Sequence, residues 1–282
     1  MPWTSEHTRW LVDTGERLKT ADRKEIEVWE FSHKNDEAVL SAWAKHFRNH
    51  YCLDTQIDFL RGKRLSADYL TDIKFPSKKS KLGPGIRAGD FGEILVSDYL
   101  QWLLGYWVPR VRWSSKVVRD ESPKGSDVIG FRFAKKDGDV STHDVLFVFE
   151  SKTKFSASNI NRLQDAINDS AKDHIRIDES LNYIKQKLFE KNEIKQAQMI
   201  ERFQSPVDMP YKETYGAAAI ISDEFFDADE LVMTDCRKIP KSAKSTEFFS
   251  HPNQDRLVLL VIKGPRMMDL VHDLYKRAAD EA

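Results

Sequence analysis

The chain has 282 residues, 40% hydrophobic and 32% charged, which suffices for the core of one large domain or two modest ones. Its formal net charge of -1 excludes a strong overall field for nucleic acid or membrane, so contact with a polyanion must come from local clusters. Cys52 and Cys236 form no CxxC or Cys/His cluster, which argues against a structural zinc site and a disulfide framework. Without a secretion signal or a membrane-length apolar run, we expect a soluble cytoplasmic protein with no membrane partner.

The first part of the chain is predicted to be a mostly helical region of its own. Apolar spacing predicts one short strand and three helices, in that order at residues 26–31, 38–51, 53–60 and 67–73. Residues 74–87 then combine two prolines and two glycines with no acidic residue, which indicates a loop or linker. We therefore place a domain boundary near residue 75, with residues 1–75 as a possible partner-docking module and residues 76–282 as the second domain.

The second part alternates more regularly between strands and helices. Strands are predicted at residues 107–113, 126–133, 145–152, 217–222 and 257–263, and helices at residues 90–104, 158–173, 178–203 and 267–279. This order predicts an α/β fold in which a mixed sheet carries helices on its faces.

One predicted strand, VLFVFESKTKF at residues 145–155, runs from apolar residues straight into two charges. Side chains alternate along a strand, so Val148, Glu150 and Lys152 share a face. If the connection to the preceding strand folds symmetrically about Gly138 and Asp139, Asp127 lies opposite Glu150, where cross-strand partners are about 5 Å apart. The pairing predicts two carboxylates side by side with an ammonium group next to them.

Neighbouring carboxylates repel unless a divalent cation lies between them, and their hard oxygen atoms suit Mg²⁺, for which Mn²⁺ substitutes. Lys152 would then orient the attacking water or stabilise charge on phosphate oxygens. The layout indicates metal-dependent phosphodiester hydrolysis, with Asp127 and Glu150 as metal ligands. The alternatives are an exposed ion pair between Glu150 and Lys152 at the end of an edge strand, and an aspartate that bonds its own backbone in a turn.

Two further polar residues belong to the predicted site. Glu93 continues the apolar stripe of Val96 and Leu100 on the helix at residues 90–104, so it is expected to face the core and to help hold the metal. The alternative is a glutamate favoured by the helix dipole, because we expect the helix to begin near Asp90. Gln164 borders the buried face of the helix at residues 158–173 and is expected to reach the same pocket, unless it is an ordinary polar helix residue.

Two basic tracts are candidates for DNA contact, one in the linker and one leading into the strand that carries Asp127. The predicted phosphate-binding residues are Lys78, Lys79, Lys81, Arg87, Arg110, Arg112 and Lys116. The alternative for the linker tract is a solvated loop. Trp113 lies within the second tract, where it would either stack on a base or belong to the core.

Glu93 on a helix, Asp127 on one strand and Glu150-Ser151-Lys152 on the next, followed by a helix with Gln164, resemble the PD-(D/E)xK nuclease superfamily over residues 87–173. Ser126 stands where the superfamily's name has proline. The segments RAGDFGEILVSDYL, VPRVRWSSKVVRDESPKGSDVIGFRF and VLFVFESKTKF are more narrowly similar to HamA, the nuclease family of Hachiman antiphage defence. The resemblance implies a restriction-endonuclease-like fold and Mg²⁺-dependent DNA cleavage with a superfamily 2 helicase partner, HamB-like.

Two other functions remain compatible with the sequence. A stand-alone restriction-type endonuclease would need a sequence-reading module, and no helix-turn-helix or finger motif is apparent. A non-catalytic module with a nuclease fold would bind nucleic acid or a partner protein, and we would expect it to lack a motif residue.

Overall fold

The computed structural model describes residues 4–135, 139–242 and 245–282. In these ranges the strands are β1 (Leu11–Lys19), β2 (Glu25–Phe31), β3 (Val128–Arg132), β4 (Val145–Lys154), β5 (Lys212–Ser222), β6 (Ile239–Pro240), β7 (Phe248–Phe249) and β8 (Leu257–Gly264). The α-helices are α1 (Glu37–Tyr51), α2 (Asp54–Leu60), α3 (Ser66–Tyr69), α4 (Gly83–Asp98), α5 (Arg162–Ser170), α6 (Asp173–Glu190), α7 (Ile194–Glu201), α8 (Ala228–Val232) and α9 (Met267–Asp280). No helix in these ranges is long and apolar enough to cross a membrane.

The main sheet has six strands in the order β1-β2-β8-β5-β4-β3. Its four inner strands are parallel to one another, whereas β1 and β3 pair antiparallel at the two edges. Alternate residues of β4 enter two different cores: Phe147 and Phe149 join the one built with α1, α4 and α9, and Leu146 and Val148 join the one built with α5, α6 and α7. The predicted α/β mixed sheet with helices on its faces is therefore confirmed.

The two strands of the first 75 residues, β1 and β2, are part of the same sheet. β2 pairs in parallel with β8, with Ile26 opposite Leu259, and α1 packs against α9, where the rings of Phe47 and Tyr275 are 4.8 Å apart. β1 was not predicted, because most of this edge strand is exposed and it lacks a regular apolar alternation. Packing is continuous across residue 75, so the division into residues 1–75 and 76–282 stays a prediction about function.

The pair β3 and β4 has the predicted register. Val128 lies opposite Phe149 and Arg132 opposite Val145, which puts Asp127 next in line beside Glu150. The predicted turn centre at Gly138 lies outside the described residues. The register brings the charged end of β4 next to the start of β3.

Three predicted elements differ from the structure. α4 begins at Gly83, helped by proline in its first turn, so Glu93 lies in mid-helix and the predicted start near Asp90 is wrong. Residues 107–113 form only one bridge, from Trp107 to Phe131, since Pro109 has no N–H to donate. The predicted helix 178–203 is two helices, α6 and α7, which are separated at Asn192 with its positive φ of 61°.

The close contact of β4 and β5 predicts a stability effect. A Cβ atom at Gly216 would lie 2.4 Å from Cζ of Phe149, its partner across the strands, so Gly216→Ala is expected to destabilise the fold by about 1–3 kcal/mol through overpacking. Gly89→Ala in α4 is the control, because open space surrounds that position and alanine should stabilise the helix by about 0.5–1 kcal/mol. Urea denaturation would measure both changes, and equal stability of the two variants would contradict this packing.

Candidate active site

A cleft of about 860 Å³ opens where the ends of β3 and β4 meet helices α4, α5 and α6. Charged side chains from all five elements or their flanking loops line it: Glu93, Arg112, Asp127, Glu150, Lys152, Asp169 and Arg176. Four of the five predicted catalytic residues therefore share one cleft.

Asp127 and Glu150 form the centre of this group. The backbone N–H of Ser151 donates to Oδ2 of Asp127 over 3.1 Å, so this aspartate is held against β4 and does not bond its own turn. Asp127 is next in line beside Glu150 across the strands, and after burial its charge is the largest cause that raises the pKa of Glu150. The alternation of β4 turns Glu150 toward the α6 side of the sheet, and the register with β3 turns Asp127 toward it.

Arg112 is buried and uses all five of its N–H donors on the protein. Its Nε donates to Glu93 over 2.9 Å, and one terminal nitrogen donates to Asp127 over 2.9 Å and to the carbonyl of Pro123 over 2.9 Å. The other terminal nitrogen donates to the carbonyls of Lys124 and Ser126 over 3.3 and 2.9 Å. Arg112 thus fixes the loop before β3 to α4 and holds the carboxyl groups of Glu93 and Asp127.

Lys152 lies between two carboxylates. Its Nζ is 2.9 Å from Oδ2 of Asp169 and 3.6 Å from Oε2 of Glu150. Burial lowers the pKa of Lys152, but the charges of Asp127, Glu150 and Asp169 outweigh it, and the net result is a raised pKa. Lys152 is therefore a cation at neutral pH, suited to stabilise negative charge and unsuited to accept a proton.

The sequence prediction missed Asp169 near the end of α5, and also Asp173 and Arg176 in the first turn of α6. Oδ1 of the fully buried Asp173 accepts from Oγ of Ser126 over 2.8 Å and from Arg176 over 3.0 Å. The same Arg176 nitrogen reaches Oε1 of Glu150 at 3.3 Å. The only signal in the sequence was an aspartate and an arginine three positions apart, a spacing common on exposed helix faces.

Burial and neighbouring acids raise the pKa of three carboxyl groups at this site. Burial raises the pKa of Glu93 to about 8 and that of Asp173 to about 6, in each case with a further contribution from Asp127. Burial, together with Asp127 and Asp173, raises the pKa of Glu150 well above its usual value. Burial and neighbouring acids thus disfavour the ionised carboxyl groups, a bound divalent cation would favour them, and hard oxygen donors in such a setting fit Mg²⁺.

The acids are nevertheless divided between two arginines. Arg112 pairs with Glu93 and Asp127, whereas Arg176 pairs with Glu150 and Asp173. Among the described residues no three Asp, Glu, His or Cys side chains converge closely enough to hold a metal ion as they stand. The pair that is adjacent without an intervening arginine is Asp127 with Glu150, and these two residues fit a divalent cation best.

The sequence profile of the HamA family matches residues 6–278, nearly the whole chain. The chain belongs to the HamA family. HamA proteins are components of antiphage defence of the Hachiman type, so this chain is part of such a defence module. Comparison with curated proteins finds no match. The resemblance to the HamA family, drawn from the segments around Glu93, Asp127 and Glu150, is thereby confirmed.

Most of the cationic side chains predicted to bind DNA contact other protein groups in this HamA chain. Arg87 lies 4.5 Å over the ring of Tyr275, Arg110 pairs with Asp98 at 2.6 Å, and Lys116 Nζ donates to Asp90 over 2.7 Å. The side chains of all three are buried, as is that of Arg112, and their charges neutralise or pack against other protein groups, so phosphate contact by these four has no support in the structure and stays a prediction. The linker cations are exposed, and their DNA contact stays a prediction: Lys78, Lys79 and Lys81.

The structure does not bring Gln164 to the acidic group. Its Oε1 accepts from the backbone N–H of Asp235 over 2.9 Å and its Nε2 donates to Asn168 over 3.0 Å, on a side of α5 away from the cleft lining. Trp113 is 2% exposed, so it belongs to the core and does not present a stacking surface. Asp169, five positions after Gln164 on α5, takes the place in the cleft that we expected for the glutamine.

The raised pKa of Glu150 predicts that the ionised form of this carboxyl group lowers the stability of the folded HamA chain. A carboxyl group whose pKa rises on folding stabilises the fold below its unfolded pKa of about 4, and that stability is lost as pH rises through the folded pKa. Glu150→Gln should therefore raise the melting temperature in EDTA at pH 8 by about 3 °C, with no gain near pH 4.

Asp169→Asn is the matched control of opposite sign. Burial raises the pKa of Asp169, but Lys172 and Lys152 outweigh it and leave the pKa lowered, so the ionised aspartate stabilises the fold. Its loss should reduce the melting temperature at pH 8. Differential scanning calorimetry at both pH values would compare the variants, and a loss of stability in Glu150→Gln would contradict a strained acidic cluster.

Proposed function

We propose that this HamA chain is a metal-dependent DNA nuclease with a PD-(D/E)xK active site, which acts in the cytoplasm together with a superfamily 2 helicase. The observation that supports it most is the juxtaposition of Asp127 and Glu150, from neighbouring strands, with Lys152 Nζ 3.6 Å from Glu150. Antiphage defence supplies the context, because phage DNA is one target that such a system can attack.

Asp127 and Glu150 would hold Mg²⁺, or Mn²⁺ in its place, and Glu93 would support them through Arg112. When bound, the cation would supply polarisation of the scissile phosphate and a water of lowered pKa. Lys152 would stay protonated and stabilise the negative charge that grows on the phosphate oxygens. Ser126 and Arg112 would keep Asp127 and the loop before β3 in place while the substrate binds.

The cations nearest the cleft do not form a broad DNA-binding surface. Four of the seven predicted phosphate contacts are buried, and the chain as a whole carries a formal net charge of -1. A nuclease whose own charges attract DNA only weakly would benefit from a partner that brings a DNA strand to the cleft. This favours action with a helicase over a stand-alone restriction-type endonuclease.

A non-catalytic nuclease-fold module is the second candidate. It is favoured by the two arginines that already neutralise the acids in pairs, and by the lack of a ready three-carboxylate metal site among residues 4–135, 139–242 and 245–282. Such a module would bind DNA or the helicase through the same cleft and would not need the adjacency of Asp127 and Glu150.

The deciding experiment incubates the purified chain, alone and with the proposed superfamily 2 helicase partner, with plasmid and linear DNA in Mg²⁺ or in EDTA. Degradation that requires Mg²⁺ and is lost in Glu150→Ala is the expected result. DNA or helicase binding without cleavage in every combination would establish the non-catalytic module, and a defined band pattern would indicate a restriction-type enzyme.

A further inference from the structure

A second hollow of about 210 Å³, with mostly apolar walls, adjoins the cleft on the far side of the loop that carries Asp127. Val108, Val111 and Ile184 contribute to its walls together with the half-buried ring of Tyr183. Five residues line both hollows: Arg112, Lys124, Gly125, Asp127 and Glu179. An apolar cavity of about 150 Å³ already holds benzene, so this one is large enough for a base-sized ring.

Helix α6 spans both hollows with one face. Arg176 lines the cleft, and Ser180 and Tyr183, four and seven positions later, line the apolar cavity. Seven residues of α-helix extend about 10 Å along the axis and return to the same face, which is about the reach of one nucleotide from its phosphate to its base. A phosphate at Arg176 would therefore place a neighbouring base at the cavity.

Arg176 has donors to spare for such a phosphate, in contrast to Arg112. One terminal nitrogen makes all of its contacts, to Glu150 at 3.3 Å, Asp173 at 3.0 Å and the carbonyl of Asp169 at 3.3 Å. Its Nε is buried without a hydrogen-bond partner, and within the described ranges its second terminal nitrogen makes no hydrogen bond either. The second terminal nitrogen, on a side chain that is 33% exposed at the wall of the cleft, is therefore the donor left for a phosphate oxygen.

We infer that this face of α6 is a nucleotide subsite, in which Arg176 binds a backbone phosphate and the apolar cavity takes one unstacked base. The inference rests on the proposed function and adds its substrate class, single-stranded DNA. A base in a duplex is stacked and paired, and it enters the cavity only after it leaves the stack, which costs a few kcal/mol. The exposed side chains at the rim, Lys124 and Glu179, supply polar partners for its edge.

Binding without cleavage tests the subsite, in the Glu150→Gln chain. Two end-labelled single strands of equal length are compared by fluorescence anisotropy, one ordinary and one in which a tetrahydrofuran replaces every base. We expect the ordinary strand to bind about tenfold more tightly, because a stacked base contributes about that much. Ile184→Trp fills the cavity and should abolish this difference without weakening the base-free strand, and Tyr183→Ala, which does not overpack, should reduce it.

Arg176→Ala should weaken both strands by a similar factor, about tenfold, because it removes a phosphate contact. Lys172→Ala is its control, since Lys172 lies on the exposed side of Asp169 and outside the cleft lining. Equal affinities for the two strands would overturn the base cavity, and unchanged binding in Arg176→Ala would overturn the phosphate contact. A base-dependent difference in a wild-type chain that never cleaves DNA would leave the subsite standing and overturn the nuclease.

Discussion

Lys152→Ala is expected to reduce DNA cleavage by on the order of 10²–10³-fold while Mg²⁺ binding is retained. The ammonium group lies beside Glu150, and in the proposed mechanism it stabilises the phosphate without binding the metal, so its loss should leave the carboxylates in place. Asp127→Asn should instead lose both cleavage and Mg²⁺ binding. Calorimetric titration with Mg²⁺ beside a cleavage assay separates these two outcomes.

Lys172→Ala is the matched control for this prediction. Lys172 and Lys152 approach the same carboxylate of Asp169, at 2.8 and 2.9 Å, but Lys172 is 58% exposed and touches no other acid of the group. Its removal should leave cleavage unchanged. If Lys152→Ala cleaved DNA as well as Lys172→Ala did, the lysine would be only a counter-ion of Asp169 and the proposed mechanism would fail.

Arg112→Met is expected to be the most destabilising single substitution at the site, at about 3–5 kcal/mol, because it leaves buried carboxylates and three backbone carbonyls without their donor. Arg112→Lys should recover little, since lysine cannot reproduce five donors in one plane. Urea denaturation in EDTA would give the free energy of unfolding of each variant.

A double-mutant cycle distinguishes the ion pair from simple loss of volume. Glu93→Gln removes one of the two carboxylates that Arg112 neutralises, so Arg112→Met should cost less in that background. Additive losses would mean that Arg112 stabilises the fold through packing alone. Gln101→Ala, which removes a contact of the neighbouring Arg110 and not of Arg112, provides a background where no coupling is expected.

The sequence was informative where local pattern decides the structure. The apolar run before Glu150 predicted β4, and a symmetric connection predicted the register that sets Asp127 beside it. Both follow from the two-residue period of a strand, which needs no knowledge of distant contacts.

The sequence was uninformative where burial depends on distant partners. Arg112 in a basic tract looks the same whether it contacts DNA or closes on Glu93, and only the packing of α4 against the loop before β3 decides between them. Asp173 and Arg176 have the spacing of an exposed helical ion pair, although Asp173 is fully buried and Arg176 lines the cleft. Gln164 is the reverse case: the helix pattern predicted it in the cleft, but α5 directs it toward Asp235.

The pairing of β2 with β8 has a consequence for how the protein folds during synthesis. Ile26 can pair only after Leu259, far later in the chain, has been synthesised, because the sheet cannot be completed until β8 leaves the ribosome. Such a high contact order slows folding and exposes unpaired strand edges in the nascent chain. A chain interrupted before β8 therefore lacks the strand that joins β2 to β5, and the sheet that carries the candidate site stays in two pieces.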